Sequence, residues 1–264
     1  MRNRRDRNAF LLTTFSLVLT LTGVLAGAGP ASADSSVQPI AVPGDSTPLS
    51  GVDQRLPGLN TGSYYSAGPA FAAQIEAYHD SGAYNDDQQA VATAAQDFLG
   101  GWLVSTCGDT SEAVCRPAVV FDVDDTLITA YKLYADNGFT LVGNQWRNSV
   151  FACEDAPIVP TRNLFNAVKR LGAAVFLITG RTESERAVTV KCLHKLGITG
   201  WQQLITKTPA TASLSNEVYK SRARAALEAQ GWRLGFSIGD QLSDLTGGHV
   251  AHGFLLPNPM YFVP

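Results

Sequence analysis

The sequence predicts an α/β fold in which a parallel sheet is flanked by helices on both sides. Short apolar runs recur along the chain, as in AVVF at 118–121 and AAVFLIT at 173–179, and such runs are typical of strands covered on both faces. Segments with helical spacing of apolar residues separate these runs. Polar clusters follow three of the runs directly. Strands that alternate with helices in this way indicate a parallel sheet.

The predicted elements follow in order from residue 67. Apolar residues at helical spacing predict a helix between 67 and 98 with one buried face, which we assign to packing. The strand at 118–121 comes next, and a helix around 164–171 leads to the strand at 173–179. The remaining elements are a helix that opens with a capping box at Thr182 and Glu185 and runs through Leu193, a strand at 203–206, a helix at 217–230, a strand at 233–239 and a short strand at 254–256.

The first 33 residues are predicted to be a secretory signal peptide. A basic start, MRNRRDR, precedes an apolar stretch, and Ala31-Ser32-Ala33 fits a cleavage site. The apolar stretch approaches the ~20 residues of a membrane span, so an uncleaved anchor is the alternative. Arg4-Arg5 leaves twin-arginine export open beside the Sec route. We expect a secreted mature chain that does not associate with membranes.

The mature chain is predicted to consist of an arm and one domain. Residues 34–65 are rich in Ser, Pro, Gly and Asp, which predicts a flexible arm, and 66–264 form the domain with a small insertion at about 130–160. Cleavage after residue 33 would change the formal net charge from −3 to −6. This charge, and the lack of a basic stretch interleaved with aromatic residues, argue against a nucleic-acid-binding protein.

All four cysteines lie after the predicted cleavage site. An even number of cysteines in an exported chain permits disulfides, here in three pairings. Cys107 and Cys115 flank a short polar segment and are close enough in sequence to close a loop, which leaves Cys153 and Cys192 to pair by elimination. Free buried thiols are the alternative. No CxxC or paired Cys/His spacing supports a zinc site.

Three polar clusters lie at predicted strand ends, where open parallel sheets bind their ligands. They are DVDDT at 122–126, TGR at 179–181 and GDQLSD at 239–244, and Lys220 lies on the helix before the last of them. Each alone also fits a polar loop that closes a strand. Together they suit phosphate chemistry, because clustered carboxylates need a cation such as Mg²⁺, which is held by one or two carboxylates and by phosphate oxygens. An aspartate can also act as a nucleophile, and a second carboxyl can protonate a leaving alcohol.

The ordered motifs resemble those of the haloacid dehalogenase (HAD) superfamily. DVDDT, Thr179 in ITGR, Lys220 and GDQLSD carry this resemblance. Four further stretches resemble the acid phosphatase branch of subfamily IIIB, which includes plant vegetative storage proteins: YHDSGAYNDD at 78–87, LITGRTE at 177–183, GDQLSDL at 239–245 and LPNPMYFVP at 256–264. The resemblance covers roughly residues 70–264. It implies a HAD-like Rossmannoid sheet with a short cap inserted after the first strand and a helical segment before it.

The resemblance also implies roles for residues at the strand ends. Asp122 would be the nucleophile that forms an aspartyl-phosphate. Asp124 would be the general acid for the leaving group and then the base for the attacking water. Thr179 and Lys220 would hold the phosphoryl oxygens, with Gly180 and Arg181 beside them in the substrate-binding loop. For Arg181, support of the loop alone is the alternative.

A Mg²⁺ site is implied at the same place. Asp122, the backbone carbonyl of Asp124 and Asp240 would bind the ion, and Asp244 would hold either its waters or Lys220. Asp125 and Thr126 would shape the loop. Five aromatic residues of the cap either line a pocket for an aromatic or nucleoside leaving group or pack the cap onto the sheet: Tyr131, Tyr134, Phe139, Trp146 and Phe151.

These roles predict a secreted, Mg²⁺-dependent acid phosphatase that hydrolyses small-molecule phosphomonoesters. Two alternatives use the same fold. A non-catalytic storage or binding protein is one, since storage relatives in this branch can lose activity, and Asp122 at the nucleophile position argues against it. A phosphotransferase is the other, because the same intermediate would pass its phosphoryl group to an acceptor other than water.

Overall fold

The computed structural model describes residues 65–108, 110–140 and 144–263. The predicted signal peptide at 1–33 lies outside the described residues, and so does all of the predicted arm except Tyr65. In chain order the strands are β1 Tyr65–Ser66, β2 Pro117–Phe121, β3 Ile128–Thr129, β4 Ala156–Pro157, β5 Ala174–Thr182, β6 Gln203–Lys207, β7 Arg233–Gly239, β8 His252–Leu255 and β9 Tyr261–Phe262. The helices are α1 Ala72–Asp80, α2 Ala83–Cys107, α3 Glu112–Cys115, α4 Tyr131–Asp136, α5 Gln145–Ala152, α6 Val159–Arg170, α7 Arg186–Lys195 and α8 Asn216–Ala229.

The central sheet has five strands in the order β6-β5-β2-β7-β8. Every neighbouring pair in it is parallel, which confirms the predicted fold class. The chain crosses from β2 to β5 on one side and later reaches β7 on the other, so the order reverses at β2. Ligands of such sheets bind in the crevice at the carboxyl ends of the strands beside this point.

Helices cover both faces of the sheet. On one face α2, α6 and α7 enclose the larger core, where Phe121 packs edge to face against Phe165 and Phe236. On the other face α8 packs Tyr219 and Leu227 against β2, β5 and β7. Strand β2 is buried along its whole length because helices lie on both sides of it. This explains why its sequence is a continuous apolar run rather than an alternating one.

The helix predicted between 67 and 98 differs from the structure in two ways. It is interrupted at Ser81-Gly82, between α1 and α2, because Gly82 adopts a left-handed conformation with φ of 86° that a continuous helix excludes. It also continues past Phe98 to Cys107. One face of the helix is buried, as predicted, but of the expected residues Val91, Ala94, Ala95 and Phe98 only Ala95 is fully buried. The core also takes Ala92 and Leu99, and Val91 and Phe98 pack against it while partly exposed.

A small cap lies between β3 and β4, which pair antiparallel at its base. Most of its aromatic residues pack: Tyr131 stacks on His79, with 3.6 Å between ring centroids, and contacts Phe139. Tyr134 is buried with them in a cluster that includes Ile75 of α1. Phe151 is 52% exposed. Among the described residues, no helix combines the length and apolar character that crossing a bilayer requires.

Two disulfides link Cys107 to Cys115 and Cys153 to Cys192. The first closes a loop of sequence separation 8. The second spans a separation of 39 and joins the end of the cap, at the C-terminus of α5, to α7 in the core. The pairing that elimination suggested is therefore the one in the structure.

Removing the Cys153–Cys192 bridge is expected to destabilise the protein more than removing the Cys107–Cys115 bridge. Loop-closure entropy gives about 4 kcal/mol for the longer loop and about 2.5 kcal/mol for the shorter one. Denaturant unfolding of the paired variants C153A/C192A and C107A/C115A measures both values. Equal losses of unfolding free energy, or a larger loss for the shorter loop, would contradict this ranking.

Candidate active site

The loop after β2 carries three aspartates at the carboxyl edge of the sheet. Asp122 continues the strand, since its backbone N–H donates to the Ile238 carbonyl at 3.0 Å. Asp125 has a φ of 48°, a left-handed conformation that costs a non-glycine residue energy. Its carboxylate accepts hydrogen bonds of 2.7 Å from the hydroxyls of Thr129 and Tyr261. These contacts fix the turn that separates the side chains of Asp122 and Asp124.

Lys220 comes from α8, which covers the sheet face opposite to α2, α6 and α7. The Ser215 hydroxyl caps this helix by accepting from the Val218 N–H. Lys220 Nζ lies 2.6 Å from Asp122 Oδ1 and also contacts Asp244 Oδ1, and the lysine is 6% exposed. Burial lowers the pKa of Lys220, but the two carboxylates outweigh burial and the net pKa is raised. Lys220 is therefore a fixed positive charge between two aspartates.

The loop after β7 is held close to this lysine. Arg224 follows Lys220 by four residues and therefore lies on the same face of α8. Its buried guanidinium donates to the backbone carbonyls of Asp244, Thr246 and Gly248. A Cβ at Gly239 would lie 2.1 Å from Asp244 Oδ2, so only glycine permits this approach. The Asp244 carboxylate in turn accepts from the Gln241 N–H at 2.9 Å.

Asp122, Asp240 and Asp244 form a buried carboxylate cluster, with one oxygen of each within 4.8 Å of the others. Burial raises the pKa of Asp122 well above its usual range, the positive charge of Lys220 opposes this, and the neighbouring carboxylates add to it. Burial, together with Asp244 and Asp125, raises the pKa of Asp240 to about 7. The single positive charge of Lys220 therefore does not neutralise the negative charge of the three carboxylates. An oxygen-only, negatively charged and buried donor set is what a hard divalent cation requires.

Asp124 points away from that cluster and is held by Arg181 at the end of β5. Arg181 Nε donates to both oxygens of Asp124, at 3.1 and 3.0 Å, and Nη2 donates to Oδ1 at 2.6 Å. The guanidinium is fully buried and also contacts Asp155 Oδ2, at 3.2 Å, and the Thr189 hydroxyl. The Thr179 hydroxyl lies 3.4 Å from Asp124 Oδ2. The Asp124 side chain remains 22% exposed, on the open side of the site.

Asp155 comes from the end of the cap, just before β4. Burial and the negative charge of Asp124 raise the pKa of Asp155 to about 6, and Arg181 opposes that increase. Arg181 therefore lies between two carboxylates and ties the cap to the loop that carries Asp124. Nothing in the sequence around Asp155 indicates this contact.

A cavity of about 490 Å³ opens above these groups. Asp122, Asp124, Lys220 and Asp240 lie at its polar end, and Tyr134, Trp146 and Tyr261 supply aromatic lining. Two of the five cap aromatics, Tyr134 and Trp146, thus reach the cavity. A second surface cavity, of about 650 Å³, lies beside the Cys107–Cys115 bridge, and the described residues that line it carry no acidic or basic side chain.

The structure brings the predicted site residues together at one edge of the sheet, with one difference of detail, at Arg181. The Asp124 carboxylate contacts Arg181 and Thr179 and is not part of the carboxylate cluster; the sequence analysis expected only its backbone carbonyl at the metal. Arg181 lines the cavity, but its guanidinium is occupied by Asp124 and Asp155. Residues that sequence reasoning missed contact the site as well: Asp155, Arg224, Gln241, Asn258 and Tyr261. Only Gln241, Asn258 and Tyr261 lie within motifs that the sequence singled out.

Comparisons with known proteins agree with this architecture. The family model described as HAD superfamily, subfamily IIIB (acid phosphatase) matches residues 65–264. Vegetative storage protein 1 of Arabidopsis thaliana is 36% identical over 150 residues, which cover 55% of each chain. Acid phosphatase 1 of Solanum lycopersicum is 34% identical over 155 residues, which cover 56% of this chain and 60% of the relative. The match thus spans 55–60% of the length of these relatives.

The fold has a counterpart among solved structures. The class C acid phosphatase from Bacillus anthracis superposes with a TM-score of 0.59 over 74% of this chain and 87% of its own, at 18% sequence identity. At this identity the likeness concerns the fold alone. It supports the mostly parallel sheet flanked by helices.

Proposed function

The chain belongs to the acid phosphatase family of HAD subfamily IIIB, and from that premise we propose that it hydrolyses phosphomonoesters with Asp122 as the nucleophile. The observation that carries the proposal is the position of Asp122. It lies at the base of an open cavity, 2.6 Å from a buried lysine and within a cluster of carboxylates. Asp124 lines the same cavity.

In the first step an oxygen of Asp122 attacks phosphorus, and the bond from phosphorus to the ester oxygen breaks. Lys220 supports this step because its charge favours the ionised form of Asp122 and compensates the phosphoryl oxygens. Asp124 gives its proton to the departing alcohol. The products are a free alcohol and an aspartyl-phosphate on Asp122.

In the second step Asp124, now ionised, takes a proton from a water molecule that attacks phosphorus. Inorganic phosphate leaves and Asp122 is regenerated as a carboxylate. The Arg181 fork and the Thr179 hydroxyl hold Asp124 in one orientation for both proton transfers. Arg181 also contacts Asp155 at the end of the cap, so the cap helps to hold Arg181, and through it Asp124, in place.

Asp122 and Asp240 would bind Mg²⁺, with the backbone carbonyl of Asp124 as a further ligand and Asp244 completing the cluster while holding Lys220. When bound, the ion would neutralise negative charge on the phosphoryl group and on the cluster. The chemistry of the donor set supports this assignment, since Asp122, Asp240 and Asp244 each offer a carboxylate oxygen and Mg²⁺ prefers oxygen ligands.

Release of phosphate from an aryl phosphate tests the proposed function. We expect turnover by the purified mature protein from mildly acidic to neutral pH in the presence of Mg²⁺. Comparison of added alcohols with water as acceptors separates hydrolysis from phosphotransfer, because transfer yields a new phosphoester in place of phosphate. A folded protein that binds Mg²⁺ and turns over no phosphomonoester would overturn the proposal.

Exhaustive chelation of divalent ions is expected to stop turnover, and added Mg²⁺ is expected to restore it. Without a cation, the crowded carboxylates around Asp122 repel an incoming phosphate. The measurement is phosphate release in EDTA and after titration back with Mg²⁺, with circular dichroism as the control for folding. Turnover that survives chelation would show that Asp240 has no metal to bind.

A storage role is the second candidate, and the similarity to vegetative storage proteins is the observation that favours it. The presence of Asp122, Asp124, Lys220 and Asp240 in one site favours catalysis instead. We also propose secretion as the location. The two disulfides support it, because such bridges persist in oxidising compartments.

A further inference from the structure

The C-terminal segment, residues 256–263, crosses the carboxyl edge of the sheet after β8. Its strand β9 pairs antiparallel with β1, and the Ala67 N–H donates to the Met260 carbonyl at 2.8 Å. Within the segment, the side chains of Leu256 and Met260 are buried. Pairing with β1 and burial of these two side chains therefore fix the position of the segment beside the site.

This segment contacts the loop that carries Asp240 through side-chain amides. Asn258 Nδ2 donates to Asp240 Oδ2 at 2.6 Å. Gln241 Nε2 donates to the same oxygen at 2.6 Å, and Gln241 Oε1 accepts from the Val263 N–H at 2.8 Å. Both amides that hold Asp240 thus depend on the C-terminal segment, one directly and one through the backbone of Val263.

We propose that Asn258 is a positioning residue for the metal site, which holds Asp240 so that one chosen oxygen faces the cation. The inference rests on the proposed function, since it assumes that Asp240 binds Mg²⁺. Two N–H donors occupy Oδ2, whereas the described residues offer Oδ1 only a 3.3 Å contact, with the Thr126 hydroxyl. Oδ1 is therefore the oxygen left for the metal. Hydrogen bonds to a ligating carboxylate orient it and hold it ready for the ion.

The orientation of the Asn258 amide is itself fixed. Its Oδ1 accepts from the Met260 N–H at 2.9 Å, a local turn that asparagine side chains commonly form. With the oxygen engaged there, the nitrogen is directed at Asp240. One side chain therefore shapes the C-terminal turn and positions the carboxylate, and these two roles can be separated by substitution.

The test is calorimetric titration of Mg²⁺ into substrate-free protein. Asn258→Ser keeps a hydroxyl that can accept from the Met260 N–H but is too short to donate to Asp240, whereas Asn258→Ala removes both contacts. We expect Asn258→Ser to raise the Mg²⁺ dissociation constant by about tenfold or more, as loss of a partner to a metal ligand commonly does. Its melting temperature in EDTA should stay close to that of the wild type.

Asn163→Ala is the matched control, because Asn163 is an exposed residue of α6, and its Mg²⁺ affinity should be unchanged. Wild-type affinity in a folded Asn258→Ser variant would overturn the inference and leave the proposed function standing. Failure of the wild-type protein to bind Mg²⁺ would overturn the metal requirement and the inference together.

A reciprocal measurement needs no variant. If Asn258 couples the segment to the metal, Mg²⁺ must stabilise the segment in return, because linkage is symmetric. Hydrogen exchange at residues 256–263 should slow when Mg²⁺ is added, and slow more than exchange in α6. Exchange in the segment that is insensitive to saturating Mg²⁺ would contradict the coupling.

Discussion

Replacing Asp122 by Asn is expected to lower kcat by about 10⁴-fold or more, which is the scale of loss when a catalytic nucleophile is removed. The carboxamide has nearly the same shape but lacks the negative charge and nucleophilicity of the carboxylate. Lys220 retains Asp244 as a partner, so the variant keeps a paired lysine. It also has one carboxylate fewer in the cluster. We therefore expect the fold to survive while turnover is lost.

Steady-state hydrolysis of an aryl phosphate at saturating Mg²⁺ measures this loss, with denaturant unfolding as the check on stability. Asp136→Asn is a matched control, because Asp136 is exposed at the end of α4 and pairs only with Lys132 among the described contacts. That variant should keep wild-type turnover. Appreciable activity in Asp122→Asn would refute the nucleophile assignment.

The second large effect is expected for Asp124→Asn. Loss of a general acid and base costs typically about 10²- to 10⁴-fold in rate. Arg181 can still donate to the carboxamide oxygen, so the loop should keep its geometry. With nitrophenyl phosphate as the substrate, the nitrophenolate leaving group departs without protonation, so the first step does not need Asp124 as an acid. The water that attacks in the second step still needs a base. The variant should therefore form the aspartyl-phosphate from nitrophenyl phosphate and hydrolyse it slowly.

Rapid-mixing kinetics tests this separation of steps. A burst of nitrophenolate close to one equivalent of enzyme should precede slow turnover in Asp124→Asn. Alkyl phosphates, whose alkoxide leaving groups need a proton, should give no burst. Undiminished turnover of an alkyl phosphate would show that Asp124 is not the proton donor.

Much of the fold was predictable because the signals are local. The run around Phe121 marked a strand covered on both faces, and polar residues followed each central strand at the edge where ligands bind. The break at Gly82 was missed because the helical spacing that predicted the helix lies after it, at Val91, Ala94, Ala95 and Phe98. Whether a glycine there terminates a helix depends on the packing of α1 against the cap, which sequence spacing does not reveal.

Site residues that lie in a recognisable motif were predictable from the sequence. Contacts between residues of two segments that are distant in sequence were not. Lys220 and Asp240 lie in ordered motifs, and the structure brings them to the same cluster as Asp122. The contact of Arg181 with Asp155 joins β5 to the cap, and the contact of Asn258 with Asp240 joins the C-terminal segment to β7. Such pairs depend on tertiary packing, so no local pattern predicts them.

Acid quenching of Asp124→Asn during reaction with an aryl phosphate, followed by peptide mapping, tests the central assignment most directly. We expect one phosphoryl group on the peptide that contains Asp122, labile to hydroxylamine as an acyl phosphate is. The phosphoryl group should be absent when Asp122 is also replaced by Asn. A phosphoryl group on any other residue, or a nitrophenolate burst with no modified peptide, would contradict it.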